Sequence, residues 1–321
     1  MDSYAGKFAV VTGGGTGMGR ELVRQLAARG CSVATCDVFA EPLDETVARA
    51  REGAPTGTTV VGAVADVADE PSLAAFRDAA VAGLATDHVD LLFNNAGIAG
   101  GGSFVADDRA EWERTFAVDF FGVYYTSRTF LPLLLAAEEG HLVNTSSING
   151  IFASIGPLTP HTSYSAAKFA VKGFTEALIC DFRVHAPHLH AHVVHPGHVG
   201  TSIILNSAKA HGREADSLDH EALEGVRRQL ASFGMDVATV SDEDLRKGMQ
   251  QLGEAFRDAA PVTAAQAATT ILDGVLAGRW RILVGDDAVA IDRMVREDPE
   301  GAYEPGFWQQ IREGGHLAAF G

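Results

Sequence analysis

Seven short apolar runs recur along the chain: "KFAVVTG", "SVATCDV", "TTVVGAVADV", "VDLLFNNAG", "GHLVNTSS", "HAHVVHPG" and "RILVGD". They are hydrophobic on both faces, the pattern of strands covered on both sides. Between them the spacing predicts helices at about 17–29, 41–52, 70–85, 109–136, 164–185 and 263–277. That alternation allows few folds. It predicts an α/β domain, a doubly wound parallel sheet with helices on both faces, joined by right-handed crossovers.

From about 203 to 262 the rhythm breaks, with two amphipathic helix candidates and no strand. "SDEDLRKGMQQLGEAF" opens on a near capping box, Ser241 to Asp244, and sets Leu245, Met249, Leu252 and Phe256 at helical spacing. We read 203–262 as a helical lid inserted near the C-terminus, before the last helix and strand, with a C-terminal extension from about 286 to 321. A helix is expected around 287–296. Beyond it Tyr303, Phe307 and Trp308 of "AYEPGFWQQI" suggest docking, for instance on a neighbouring subunit.

A formal net charge of -17 repels phosphate backbones and anionic membrane surfaces, so neither nucleic acid nor a membrane is an expected partner. No apolar run approaches the roughly 20 residues a bilayer span needs. A strand pattern starts within the first dozen residues, which predicts a cytoplasmic protein. Cys31, Cys36 and Cys180 form no CxxC pair and read as buried thiols of a reducing compartment. The sequon at Asn144 sits at the end of a predicted buried strand and is discounted.

The chemistry starts at "TGGGTGMG", which follows the first strand and opens the first helix. There a dinucleotide pyrophosphate meets backbone N–H groups and the positive end of a helix dipole. Gly13, Gly17 and Gly19 supply the tight turn, the close approach and the helix packing; Thr16 and Met18 complete the candidate contacts. Asp37, ending the second strand, would accept the adenosine ribose hydroxyls and repel a 2′-phosphate. Val38 and Thr16 offer a phosphate no cation, so NAD is favoured over NADP. Asp66 and Val67, with Asn95 and Gly97, end the third and fourth strands, the edge over which adenine and the second ribose would lie.

"YSAAK" sets Tyr164 and Lys168 four apart on one helical face. A phenol titrates near 10, too high for a base at neutral pH. A cation about 4 Å away at an effective dielectric near 20 contributes on the order of 4 kcal/mol, or about three pKa units before desolvation. Taken together, "TGGGTGMG", "NNAG", a Ser ahead of Tyr-xxx-Lys and "PGHVGT" resemble the classical short-chain dehydrogenase/reductase family, in the family's order, over about 5–202 and again over 262–285. The resemblance implies a single Rossmann-type domain over 1–321, with Tyr164 as general acid/base, Lys168 as its activator and Ser147, rather than Ser146, as the group holding the substrate oxygen; Tyr164 and Lys168 also count among the cofactor contacts, Lys168 hydrogen-bonding the nicotinamide ribose. It implies Val199 and Thr201 at the nicotinamide carboxamide, and a homotetramer or homodimer. It also marks a departure: where the family carries Asn in "VNxxG", this chain has Asp119 in "VDFFG". The carboxylate either leaves a backbone function intact or pairs with Lys168.

The Ser147-to-Tyr164 stretch is longer than the family's pattern, and its Phe152, Ile155 and Leu158 suggest an apolar substrate wall. His185, His188, His190, His192, His195 and His198 crowd one region, but no carboxylate or thiolate is spaced to complete a metal site, and none is expected. His198 alone is expected to face the cofactor pocket. The sequence thus predicts an NAD-dependent oxidoreductase interconverting a secondary alcohol and a ketone, with a hydrophobic or aromatic small molecule as substrate. An NAD-retaining epimerase or dehydratase, and a catalytically silent NAD-binding regulator, remain open.

Overall fold

A computed structural model describes residues 1–156, 159–232, 236–237 and 239–316. The seven apolar runs form strands β1 (Phe8–Thr12), β2 (Ser32–Asp37), β3 (Val60–Val64), β4 (Leu91–Asn94), β5 (Gly140–Thr145), β6 (Leu189–Pro196) and, after the short β7 (Val199–Gly200) and β8 (Val262–Thr263), β9 (Arg281–Val284). They make one parallel sheet in the order β3-β2-β1-β4-β5-β6-β9. The order reverses between β1 and β4, and that switch point opens a crevice at the carboxyl ends of the strands.

Helices α1 (Gly17–Ala28), α2 (Ala40–Gly53), α3 (Glu70–Leu84), α4 (Arg109–Phe116), α5 (Gly122–Leu135), α6 (Thr162–His185) and α10 (Ala264–Leu276) flank the sheet. Two apolar layers result. Leu22, Leu26, Ile271 and Leu272 pack on one face of the sheet, and Phe76, Phe130, Leu134 and Phe182 on the other. The long helix predicted over 109–136 is interrupted: Ala117–Phe121 is a π-helical turn. A π turn inserts one residue into the helical cycle and re-aims the side chains beyond it. Here it turns Val118 and Asp119 inward.

Among its described residues the 203–262 region holds three α-helices where two were expected: α7 (Ile203–Ala210), α8 (His220–Ser232) and α9 (Asp242–Asp258). It also ends in a strand residue, Val262, which pairs with Val199. Ser241 caps α9 by accepting the Asp244 N–H at 3.1 Å. Leu245 and Met249 face a small apolar core with Leu218 and Leu223, but Leu252 is 62% exposed. Gly253 takes its place on the seam, because a side chain there would run into Leu205 of α7.

Helices α11 (Asp286–Glu297) and α12 (Pro305–Glu313) follow β9. The expected docking of Tyr303, Phe307 and Trp308 is on this same chain: all three rings pack on Phe152, which is 1% exposed. Phe152 is therefore an anchor for the C-terminal segment and not a substrate wall. Ile155 is half-buried, and Leu158 lies outside the described residues. Cys31 and Cys36 are buried as expected, whereas Cys180 is exposed on α6. Asn144 is fully buried, bonded to Asn94 and Thr175. No helix among the described residues is long and apolar enough to cross a membrane.

Candidate active site

The turn between β1 and α1 sets its glycines where side chains cannot go. Gly13 has φ +66 and Gly17 φ +53, and a Cβ on Gly13 would stand 2.7 Å from the Ala96 backbone. Gly19 lies beneath the turn, against the Gly13 carbonyl. Above them runs a groove lined by Gly13, Thr16, Gly17, Met18, Asp37, Asp66, Val67, Asn95, Gly97 and Thr201. Val199 is set back from it, buried in its pairing with Val262.

Two of the acids also shape the backbone. Asp37 accepts N–H bonds from Gly15 at 2.9 Å and Phe39 at 3.1 Å, so it closes the glycine turn as well as facing the groove. Asp66 pairs with Arg114 at 2.8 Å, a groove residue for which the sequence carries no spacing signal. The Asn95 amide ties the end of β4 to the carbonyls of Thr12 and Gly13. Helix α7 roofs the groove: Asn206 donates to Thr16 Oγ1 at 2.7 Å, and Lys209 lies over the Phe39 ring. The groove's tight glycine floor, its position at the start of α1 and the Asp37 carboxylate on its lining fit a dinucleotide.

Directly behind Gly97 sits a buried ion pair. A Cβ on Gly97 would be 3.1 Å from Asp119 Oδ1 and 3.2 Å from Lys168 Nζ. Lys168 Nζ is 3.5 Å from Asp119 Oδ2 and 3.4 Å from the Thr145 carbonyl; Asp119 also accepts the Ile98 N–H at 2.8 Å. Burial pushes the Asp119 carboxyl up to about 6, against the pull of Lys168 and the Ile98 N–H. The carboxylate belongs to a residue of the π turn, buried there with Val118.

Tyr164 stands on the first turn of α6 with Lys168 Nζ 5.3 Å from its ring centre. Burial holds its phenol above the ordinary value near 10; Lys168 lowers it, Asp119 raises it, and the Ser147 hydroxyl lowers it. The net depression expected from Lys168 alone does not result, because the Asp119 carboxylate shares the lysine's field and burial disfavours the phenolate.

Ser146 and Ser147 separate cleanly. Ser146 Oγ donates to the Lys168 carbonyl at 2.8 Å and binds β5 to α6. Ser147 caps a 3₁₀ turn, accepting the Asn149 N–H at 3.1 Å, and faces Tyr164. Its own carbonyl accepts from His195 Nδ1 at 2.8 Å. His195 is buried, and its imidazole is pushed down to about 4, so it stays neutral with its proton on Nδ1. It was legible only as one of a crowd. His198 does not line the groove as expected; it is 4% exposed, its Nε2 on the Phe256 carbonyl, and so links β7 to α9.

A family model described as short chain dehydrogenase matches residues 7–211. The chain belongs to the short-chain dehydrogenase family. Across the family, the Mycobacterium tuberculosis protein SadH is 34% identical over 296 residues, 92% of each chain. A cis-4-hydroxycyclohexanecarboxylate dehydrogenase of Sinomonas cyclohexanicum is 36% identical over 204 residues, 63% of this chain and 77% of that one. Among solved short-chain dehydrogenase structures, one from Burkholderia phymatum in complex with NAD matches with a TM-score of 0.72 and 30% identity, covering 94% of this chain and 96% of that one. The protein is thus an oxidoreductase of this family, with the family's parallel sheet and a helical C-terminal region.

Proposed function

We propose that this protein is an NAD-dependent dehydrogenase that interconverts a secondary alcohol and a ketone on a hydrophobic or aromatic small molecule. The carrying observation is the convergence of Ser147, Tyr164 and Lys168 behind Gly97, the residue at which the dinucleotide groove meets the buried ion pair. When bound, the oxidised nicotinamide accepts a hydride and adds a positive charge to the site. The Ser147 hydroxyl holds the substrate oxygen, and Tyr164 takes its proton during oxidation or returns it during reduction. Lys168 stabilises the phenolate and, through Asp119, is fixed in place. The relative bound to NAD and the relative named for a hydroxycyclohexane substrate support this reading. So does helix α7, whose Ile203 borders the groove with an apolar side chain. We further propose a cytoplasmic homotetramer or homodimer, with 203–262 acting as a lid on a single domain.

The test is NADH formation at 340 nm with NAD or NADP across secondary alcohols graded from small aliphatic to aryl to steroid. Turnover with NAD on the bulky apolar members is expected. Silence across the panel with NAD still binding would overturn the alcohol–ketone reading in favour of an epimerase or regulator.

Asp37→Ala is expected to raise the KM for NAD about 10- to 100-fold, the worth of charge-assisted hydrogen bonds to the ribose, and to change that for NADP much less. Equal effects on both would remove the ribose role. Asp119→Asn is expected to leave or raise turnover at pH 7–8, because Lys168 no longer shares its field with a carboxylate. The wild-type profile of kcat/KM against pH should inflect near 6, where Asp119 titrates, and the variant's should not. A large loss of activity in the variant would show that the carboxylate itself is required.

A further inference from the structure

Along α6, Tyr164 is flanked by two side chains of different character. One turn toward the C-terminus is Lys168, on the side of Asp119 and of the groove floor at Gly97. One turn toward the N-terminus, the His161 imidazole packs on the phenol with ring centres 4.7 Å apart and planes tilted by 36°. His161 is the residue before the first turn of α6, outside the helical backbone, whereas Lys168 lies one turn on within the helix. Lys168 thus lies toward the groove floor at Gly97, and His161 packs on the phenol from the residue that precedes α6.

His161 differs from its buried counterparts. The imidazoles of His192, His195 and His198 each bind a backbone carbonyl. Among the described residues neither ring nitrogen of His161 has a hydrogen-bonding partner, and neither is sealed from solvent. Besides that ring contact its main chain holds the start of the helix, its carbonyl accepting from the Ser165 N–H at 3.1 Å. A half-buried, unpaired imidazole held by stacking beside the acid/base group is a polar contact offered to whatever Tyr164 acts on.

We propose that His161 binds a second oxygen of the substrate, so that the preferred substrate is a secondary alcohol carrying a further neutral hydroxyl or keto group one to three carbons from the reacting one. This rests on the alcohol–ketone reading above. Burial pushes the imidazole down to about 4, so near pH 7 it is neutral, with one N–H donor and one acceptor. That pair suits a hydroxyl or a keto oxygen, whereas a carboxylate is better met by a cation.

The experiment compares cyclohexanol with cyclohexane-1,2-, 1,3- and 1,4-diol as substrates for wild type, His161→Phe and His161→Gln. The Phe variant keeps an aromatic ring on Tyr164; the Gln variant keeps a donor and an acceptor. At least one diol should exceed cyclohexanol in kcat/KM by about 10- to 100-fold in wild type. His161→Phe should erase that preference, largely through KM, with cyclohexanol changed by no more than about threefold, and His161→Gln should restore part of it. Equal losses on cyclohexanol and diols, or a wild type blind to the second oxygen, would overturn the proposal. A parallel binding arm titrates cyclohexanone and 2-hydroxycyclohexanone into the NADH-loaded protein, read by nicotinamide fluorescence. If neither alcohol turns over, a His161-dependent preference for the hydroxyketone in that arm upholds the contact while the alcohol–ketone reading falls; no preference there overturns the contact as well.

Discussion

Replacing Tyr164 by Phe is expected to cut turnover by about 10³-fold and to leave NAD affinity within about twofold. The size reflects the group removed. On the proposed mechanism the phenolic proton is exchanged with the substrate oxygen, and a positioned acid/base is worth about 10²- to 10⁴-fold. Selectivity for chemistry over binding comes from position. The groove that fits the dinucleotide runs from Asp37 and Asp66 to Gly97 and Thr201, and Tyr164 stands outside that lining. Folding should be unaffected, since Phe fills the same volume and the stacked contact with His161 survives. Steady-state turnover and a fluorescence titration with NADH on the same preparation check this. Activity within a few fold of wild type would remove Tyr164 as the acid/base.

The second large effect is expected from Lys168→Met, and it should appear in both turnover and stability. Lys168 is 3% exposed and its partner Asp119 is fully buried. Removing one member of a buried pair costs on the order of 3 kcal/mol because the other charge is left without compensation. Asp119 has an escape, since its carboxyl is already pushed up to about 6 and losing the lysine pushes it further. A folded-state pKa raised above the unfolded value near 3.9 means that the folded chain takes up the proton first, so this group favours folding at low pH and the benefit is lost as pH rises through the folded value. The variant's deficit against wild type in urea unfolding should therefore be largest at pH 8 and shrink toward pH 5. Adding Asp119→Asn should recover stability without recovering turnover. A deficit independent of pH, or a double variant as unstable as the single one, would show that the pair is not what the lysine stabilises.

The parallel sheet was legible because seven two-sided apolar runs separated by helical periods have few other ways to bury themselves. The glycine turn, Asp37 and the Tyr164–Lys168 spacing were legible for a related reason: each is a local pattern whose geometry is set by its own element. What stayed hidden depends on contacts across the chain. The π turn at Ala117–Phe121 reads in sequence as ordinary helix, because one extra residue in a turn leaves the apolar spacing almost unchanged. Phe152 looked like a substrate wall because nothing local shows that Tyr303, Phe307 and Trp308 return to cover it. Leu252 fits the periodicity of α9, but the seam there is set by Leu205 closing on Gly253. His195 and His198 differ only in what lies opposite them, the Ser147 carbonyl in one case and the Phe256 carbonyl in the other.

The C-terminal rings on Phe152 bear on how the molecule is assembled in time. The turn that leads from Ser147 toward Tyr164 is tied down by the Tyr303 hydroxyl on the Ala153 N–H and by the Trp308 indole on Ser154 Oγ, partners 150 and 154 residues away in the chain. A ribosome emits about 5–20 residues each second, N-terminus first. The glycine turn, the acids of the groove and the roofing helix α7 have all emerged before the residues that fasten the substrate side exist. The stretch of chain between α7 and Tyr303 thus puts several seconds of synthesis between the groove and the segment that fastens the Ser147-to-Tyr164 turn.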